Sequence, residues 1–386
     1  MERTVSQFIT TKNKIRDKLC KILHKYIPRA VWFLLGFSAV SGIIYFLCTK
    51  FPLLADGITK SVGAALRFLF AHLTSWIPFS VAEVTLTTLP FTVGAFCIYL
   101  IRLCKKNETR AIRLLALVIA IATAAYSLFL WMFAIGYRGT PLDQKLGMNR
   151  QNVSTKELTQ TAEILAKELQ KAEKSVFFAD SGFSVMPYSY AELNRRLNSA
   201  YATISETYDF IPSLRANVKF IALSKVMSYT HFTGVYIYYT GEANINIDFP
   251  TFSTVYTAAH EMSHQRGIAP EDEANFMAFL VCLASEDAYI RYCAYLNMFQ
   301  YISAKLYAVD AFAYTRIYSS LPRSVRLELS AYSAFFDQYR DSTVAQVTDA
   351  MNDNYLKSHG QKAGTQSYGL VVDLAVAYYR ANGKLS

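Results

Sequence analysis

Charge is missing from three long stretches in the first third of the chain, although charged residues are common after about residue 140. With 53% of its 386 residues hydrophobic, the chain is too apolar for an ordinary secreted enzyme and too long for one small domain. A disulfide framework is also absent. Cys20 and Cys104 sit in basic segments, and Cys48 and Cys97 lie in or beside apolar runs. Cys282 and Cys293 share an apolar helical stretch and read as buried free thiols. No internal repeat, no nucleic-acid module and no aromatic-basic stripe occurs, which sets aside a nucleic-acid role for the net charge of +10. The first apolar run is long and lacks a small-residue cleavage pattern, so it is no clean signal peptide.

The charge-free runs read as membrane spans at about 31–48, 84–101 and 114–137. Pro78 and Pro90 make the second irregular, while the third has Trp131 and Tyr137 near its far end. An amphipathic segment, about Asp56 to Trp76, lies between the first two and reads as an interfacial helix or as packing against the bundle. Basic residues cluster before the first span (Lys12, Lys14, Arg16, Lys18, Lys21, Lys25, Arg29) and between the second and third (Arg102, Lys105, Lys106, Arg110, Arg113). The positive-inside bias puts both blocks in the cytoplasm and everything after Tyr137 outside it. The expected organisation is a basic N-terminus over 1–30, a transmembrane region over 31–137, a linker over 138–153 and an extracytoplasmic domain over 154–386.

That last part is soluble in character. Ser154 to Glu173 has apolar residues at helical spacing, and Ser154 with Glu157 forms a capping box. Tyr190 to Ile204 reads as a second helix, Asn217 to Met227 is ambiguous, and Gly234 to Phe249 reads as one or two strands around Gly241. From Thr254 onward the pattern is helical, with a long aromatic-rich stretch from Asn275 to Ser319.

The informative residues are His260, Glu261, Met262, Ser263 and His264, an HExxH motif. On a helix, two imidazoles four residues apart lie on one face and can share one tetrahedral zinc. Glu261 beside them can take a proton from water polarised by that metal. Gly267 and Pro270 allow the helix to end and the chain to reverse. The third ligand is then expected in the first turn of the next helix, PEDEANFMAFLVC. Glu271 is the choice, with Glu273 as the alternative. Residues two apart on a helix point about 160° away from each other, so the two are not ligands together. Asn275 lies one turn beyond Glu271, where it can orient a ligand. His231, and His359 and Tyr368 in the Gly-rich stretch SHGQKAGTQSYG, are candidates to line the cleft or to donate to an oxyanion. Arg266, just after the motif, is as readily a surface residue.

HEMSHQRG followed by EDEANFMAFLVC resembles the gluzincin-type metallopeptidases, in which a helix bearing a glutamate ligand follows HExxH. Glu271 and Ala274 match the E-x-x-A-D phrase of the membrane-bound peptidases of that kind, and Asn275 stands where they have Asp. A similar E-x-E-A-N phrase occurs in the soluble phage-repressor-cleaving and radiation-response metallopeptidases. The longer architecture, three spans followed by this domain, is similar to an uncharacterised bacterial membrane family, domain of unknown function 3810. The expectation is a mainly α, zincin-like metallopeptidase domain with a small β-sheet, holding one Zn2+ and acting on proteins or peptides at the extracytoplasmic face of the cell membrane. The rival is a non-catalytic receptor or scaffold with a structural zinc.

Overall fold

The computed structural model describes residues 25–385. The basic cluster from Lys12 to Lys21, with Cys20, lies outside the described residues. Among the described residues three helices are long and apolar enough to cross a membrane: Arg29–Cys48, Val81–Lys106 and Glu108–Met132.

The chain divides into two compact units. One comprises the segments up to Leu47 and Glu83–Trp131; the other joins Cys48–Ala82 to everything from Met132 onward. Two spans separate Cys48–Ala82 from Met132, so a chain threading the membrane three times returns both to the same side. Their joining in one unit agrees with that threading. Within the first unit the Trp131 indole N–H donates to the Ser41 hydroxyl at 2.9 Å, tying the first span to the third.

The third span ends at Met132 instead of reaching Tyr137. Phe133 leaves helical geometry (φ −139°, ψ −57°), and a 3-10 turn covers Ala134–Arg138. Met132, Ala134 and Ile135 are nonetheless buried, because they pack within the second unit. The region expected as a linker is likewise engaged: Leu142 is buried, and Arg150 pairs with Asp272 at 2.9 Å.

In the second unit the helix Thr155–Ala172 starts at the expected capping box, with Ser154 accepting from the Glu157 main chain. It packs with the helices Tyr190–Thr207 and Ala288–Val309 around one apolar core. The aromatic-rich stretch is broken twice by aspartate caps. Asp287 accepts from the Ile290 N–H and Asp310 from the Ala313 N–H, each at 2.9 Å, so the stretch forms three helices.

A three-stranded sheet runs in the order β1 (Lys219–Phe220), β3 (Glu242–Ile245), β2 (Gly234–Ile237). β3 lies parallel to β1 and antiparallel to β2, with Gly234 opposite Ile245. The ambiguous stretch is therefore β1 followed by a short helix, Ser224–Ser228. The motif helix, Thr251–Gln265, runs through the middle: from Phe252 to Gln265 every residue is buried. Small residues explain how. Ala258 and Ala259 are fully buried and let neighbouring elements close in.

The segment Cys48–Ala82 is a structural part of this unit. The Thr74 hydroxyl donates to the Thr240 carbonyl at 3.1 Å, and the Lys219 ammonium donates to the carbonyls of Thr74 and Ile77. Ser80 donates to Asn244 at 2.6 Å, and the Glu242 carboxylate accepts the main-chain N–H groups of Val81 and Ala82. The amphipathic segment thus packs on the sheet of this unit.

Candidate metal centre

His260 and His264 project from one face of the motif helix, their rings T-shaped with centroids 4.7 Å apart. The chain then turns back at Gly267 (φ +99°), a conformation that favours glycine. There is a second reason for glycine here: a Cβ would lie 2.5 Å from the Arg67 guanidinium. The next helix, Glu271–Ala284, begins one turn later with its first residue aimed at both imidazoles. Glu271 Oε2 stands 3.2 Å from His260 Nε2 and 3.4 Å from His264 Nε2. Ligand atoms of the three residues all lie within 4.8 Å of one another, a group able to hold a metal ion.

The surroundings fix two of the three ligands, His264 and Glu271. His264 Nδ1 hydrogen-bonds the Ile268 carbonyl at 2.7 Å, which assigns a proton to Nδ1 and turns Nε2 toward Glu271. The Phe133 ring rests edge-on against His264 at 5.4 Å. No side chain caps the start of the Glu271 helix from Pro270. Gln361 takes that part: its carbonyl accepts the Glu271 N–H and its amide donates to Asp272 at 3.1 Å.

Burial and charge oppose each other here. Burial works to raise Glu271, but His264 and His260 outweigh it and hold its carboxyl well below the usual range. Burial works to lower His264, yet Glu271 and Glu261 bring it up to about 9. Without a metal the cluster is thus an ion pair, and a cation entering it displaces that proton. Burial pushes Glu261 up to about 7 against the pull of His260 and His264. Two polar atoms, His260 Nδ1 and Glu261 Oε2, are buried without a hydrogen-bond partner. Two neutral-capable imidazoles, one carboxylate and an adjacent half-satisfied carboxylate fit a divalent metal of the zinc type.

Glu273 is turned away from this cluster. It accepts the Leu142 main-chain N–H at 3.0 Å, and burial beside Asp272 raises it to about 8. Structural zinc sites are held by about 10–16 kcal/mol in all, so losing one ligand forfeits about 3–5 kcal/mol, or roughly 10²–10⁴-fold in affinity. Glu271→Ala is expected to lose zinc on that scale, while Glu273→Gln keeps it; zinc competition titration of both variants checks the assignment, and the opposite ranking would reverse it.

The other expected residues divide. Asn275 keeps its side-chain amide nitrogen buried without a hydrogen-bond partner, and its main-chain carbonyl accepts the Tyr256 hydroxyl at 2.6 Å. Tyr368 is half-buried, lies within the electrostatic reach of Glu271 and Glu261, and accepts from the Asn352 amide. His359 is buried, with Nδ1 on the Tyr355 carbonyl and its ring 5.9 Å from that of Tyr137. His231 is engaged elsewhere, with Nε2 2.8 Å from the Tyr339 carbonyl and its ring on Phe336. Arg266 is no surface residue: it is buried, bonded to the carbonyls of Met262 and Leu214, and stacked 3.8 Å over the Tyr201 ring. Sequence reasoning missed Tyr137, whose buried hydroxyl feels Tyr355 and Glu271. It also missed Gly234, where a Cβ would lie 2.7 Å from Glu261 Oε1 and 2.6 Å from Thr257. Neither carries a local signal, since both meet the motif only through the fold. Gly234→Ala is expected to destabilise the unit by about 1–3 kcal/mol through overpacking; an unchanged thermal midpoint would mean that β2 moves away freely.

A cleft of about 560 Å³ opens beside Tyr301, lined also by Asn297, Tyr332, Gln366 and Leu370. The model of a family described as protein of unknown function (DUF3810) matches residues 60–376, and the chain belongs to that family. No curated protein and no solved structure matches the chain.

Proposed function

We propose that this member of the DUF3810 family is a membrane-anchored, zinc-dependent peptidase. Its ligands are His260, His264 and Glu271, and Glu261 is its general base. The observation that carries this reading is the Glu261 carboxyl, buried beside the ligand cluster with Oε2 unpartnered and its proton affinity raised to near neutrality. A purely structural zinc site has no use for such a group, which costs stability where it stands. Three protein ligands also leave a fourth position open, the pattern of catalytic sites.

Zinc held there would supply Lewis acidity, polarising a scissile carbonyl and acidifying water. Glu261, beside the ligands, would take the proton of an attacking water and pass it to the leaving amine. Tyr368 and Tyr137, kept protonated by burial, are the donors available to a developing oxyanion. β2 is an edge strand against the motif helix and offers its free edge to an extended peptide, while the cleft beside Tyr301 accepts a side chain. The basic residues between the second and third spans support an extracytoplasmic position for the metal unit. Substrates are then proteins or peptides at that surface.

The test uses the full chain in lipid nanodiscs, stripped by a chelator and reloaded with zinc, on a mixed peptide library read by mass spectrometry. One zinc per chain, with cleavage lost on stripping and restored on reloading, is the expected result. Zinc retained without cleavage would favour the scaffold reading, and failure to bind zinc would remove the basis for both.

A further inference from the structure

The helix Ala64–Ser75 and its flanks are amphipathic in the inverted sense. Gly63, Arg67 and Ala71, four residues apart, form the stripe that faces the protein, and all three are buried. On the opposite side the large apolar residues point outward: Leu69 is 50% exposed, Leu73 57% and Trp76 79%. Leu53 before the helix and Phe79 after it are exposed as well. A helix washed by water would reverse this arrangement, with the guanidinium out and the leucines in.

The chain supplies the reason. The segment leaves the first span at Cys48 and enters the second at Val81, so both its ends are fixed at the same membrane surface. An aromatic residue with one polar edge, such as Trp76, suits the headgroup level. Beside Trp76 a cleft of about 510 Å³ is lined by Arg195, which also pairs with Glu192, and by Arg215, Ser75, Asn198 and Asn217, so basic side chains flank the same edge. We infer that the outward face from Leu53 to Phe79 is bedded in the phospholipid interface. The metal unit is thus seated on the bilayer by its own wall, and not merely tethered to it by the spans.

Trp76 reports on this directly. The full chain and its Trp76→Phe variant are reconstituted in vesicles containing phospholipids nitroxide-labelled either near the headgroup or deep in the acyl chain. The difference between the two emission spectra isolates Trp76, and substitution of so exposed a side chain leaves the fold intact. The expected result is loss of most of the Trp76 emission to the shallow label, with little loss to aqueous iodide. Quenching by iodide and not by lipid would overturn the inference, because the face would then meet water. Resistance to both would also overturn it and point to a second copy or another protein covering the face. Strongest quenching by the deep label would overturn it too, by placing the segment within the hydrocarbon core.

Discussion

Glu261→Gln is expected to bind zinc as the parent does and to lower peptide turnover by about 10²–10⁴-fold, the usual contribution of a positioned general base. Gln preserves the volume of the side chain, and Glu261 is not among the three grouped ligands, so the loss falls on chemistry alone. The buried carboxyl is raised to about 7 by desolvation, partly offset by His260 and His264. A dication held by those histidines favours the ionised form further, which leaves a base competent near neutral pH. Gln cannot accept a proton, whatever its position. Metal content by mass spectrometry and single-turnover cleavage of one identified peptide check both halves. Undiminished turnover would transfer the base to another residue, and lost zinc would mean that Glu261 also supports the ligands.

How much of this site is legible in the sequence depends on how local each determinant is. His260, Glu261 and His264 are fixed by helical spacing alone, and Gly267 and Pro270 announce the reversal that brings the next helix back. Glu271 and Glu273 are harder to separate, because both sit in the same first turn. What separates them is Leu142, more than a hundred residues upstream, whose N–H takes Glu273. Hydropathy overextends the third span for a related reason. It records that Met132–Tyr137 avoids water, but not whether lipid or protein provides the shelter; Phe133 spends its ring on His264. Charge misleads in the same way at Arg266, which the carbonyls of Met262 and Leu214 and the Tyr201 ring accommodate in the interior. The segment between the first two spans is legible as amphipathic. Its inverted sense is not, because only the partner across Arg67 reveals which face is inside.

Arg67 is where that segment meets the metal centre, and Arg67→Ala is expected to be the most destabilising substitution outside the ligands. The guanidinium is buried and donates to the Met132 carbonyl at 3.0 Å and to the Thr59 carbonyl at 2.7 Å. Burial lowers it only to about 10, so it stays charged at neutral pH. Truncation strands two carbonyls, each costing about 1–3 kcal/mol when buried without a partner, and opens a cavity against Gly267. The expected loss is about 3–5 kcal/mol, a fall of roughly 5–8 °C in the thermal midpoint for a unit of this size. Zinc affinity should fall with it. Met132 precedes the Phe133 that braces His264, and Gly267 follows the motif helix directly. Arg67→Lys restores one donor but not the fork that spans both carbonyls, and it should recover only part of the loss. Thermal unfolding in nanodiscs beside zinc titration of both variants decides the matter. A parent-like midpoint for Arg67→Ala would mean that the segment lies on the metal unit without holding it together; a lowered midpoint with unchanged zinc affinity would confine Arg67 to stability and disconnect it from the site.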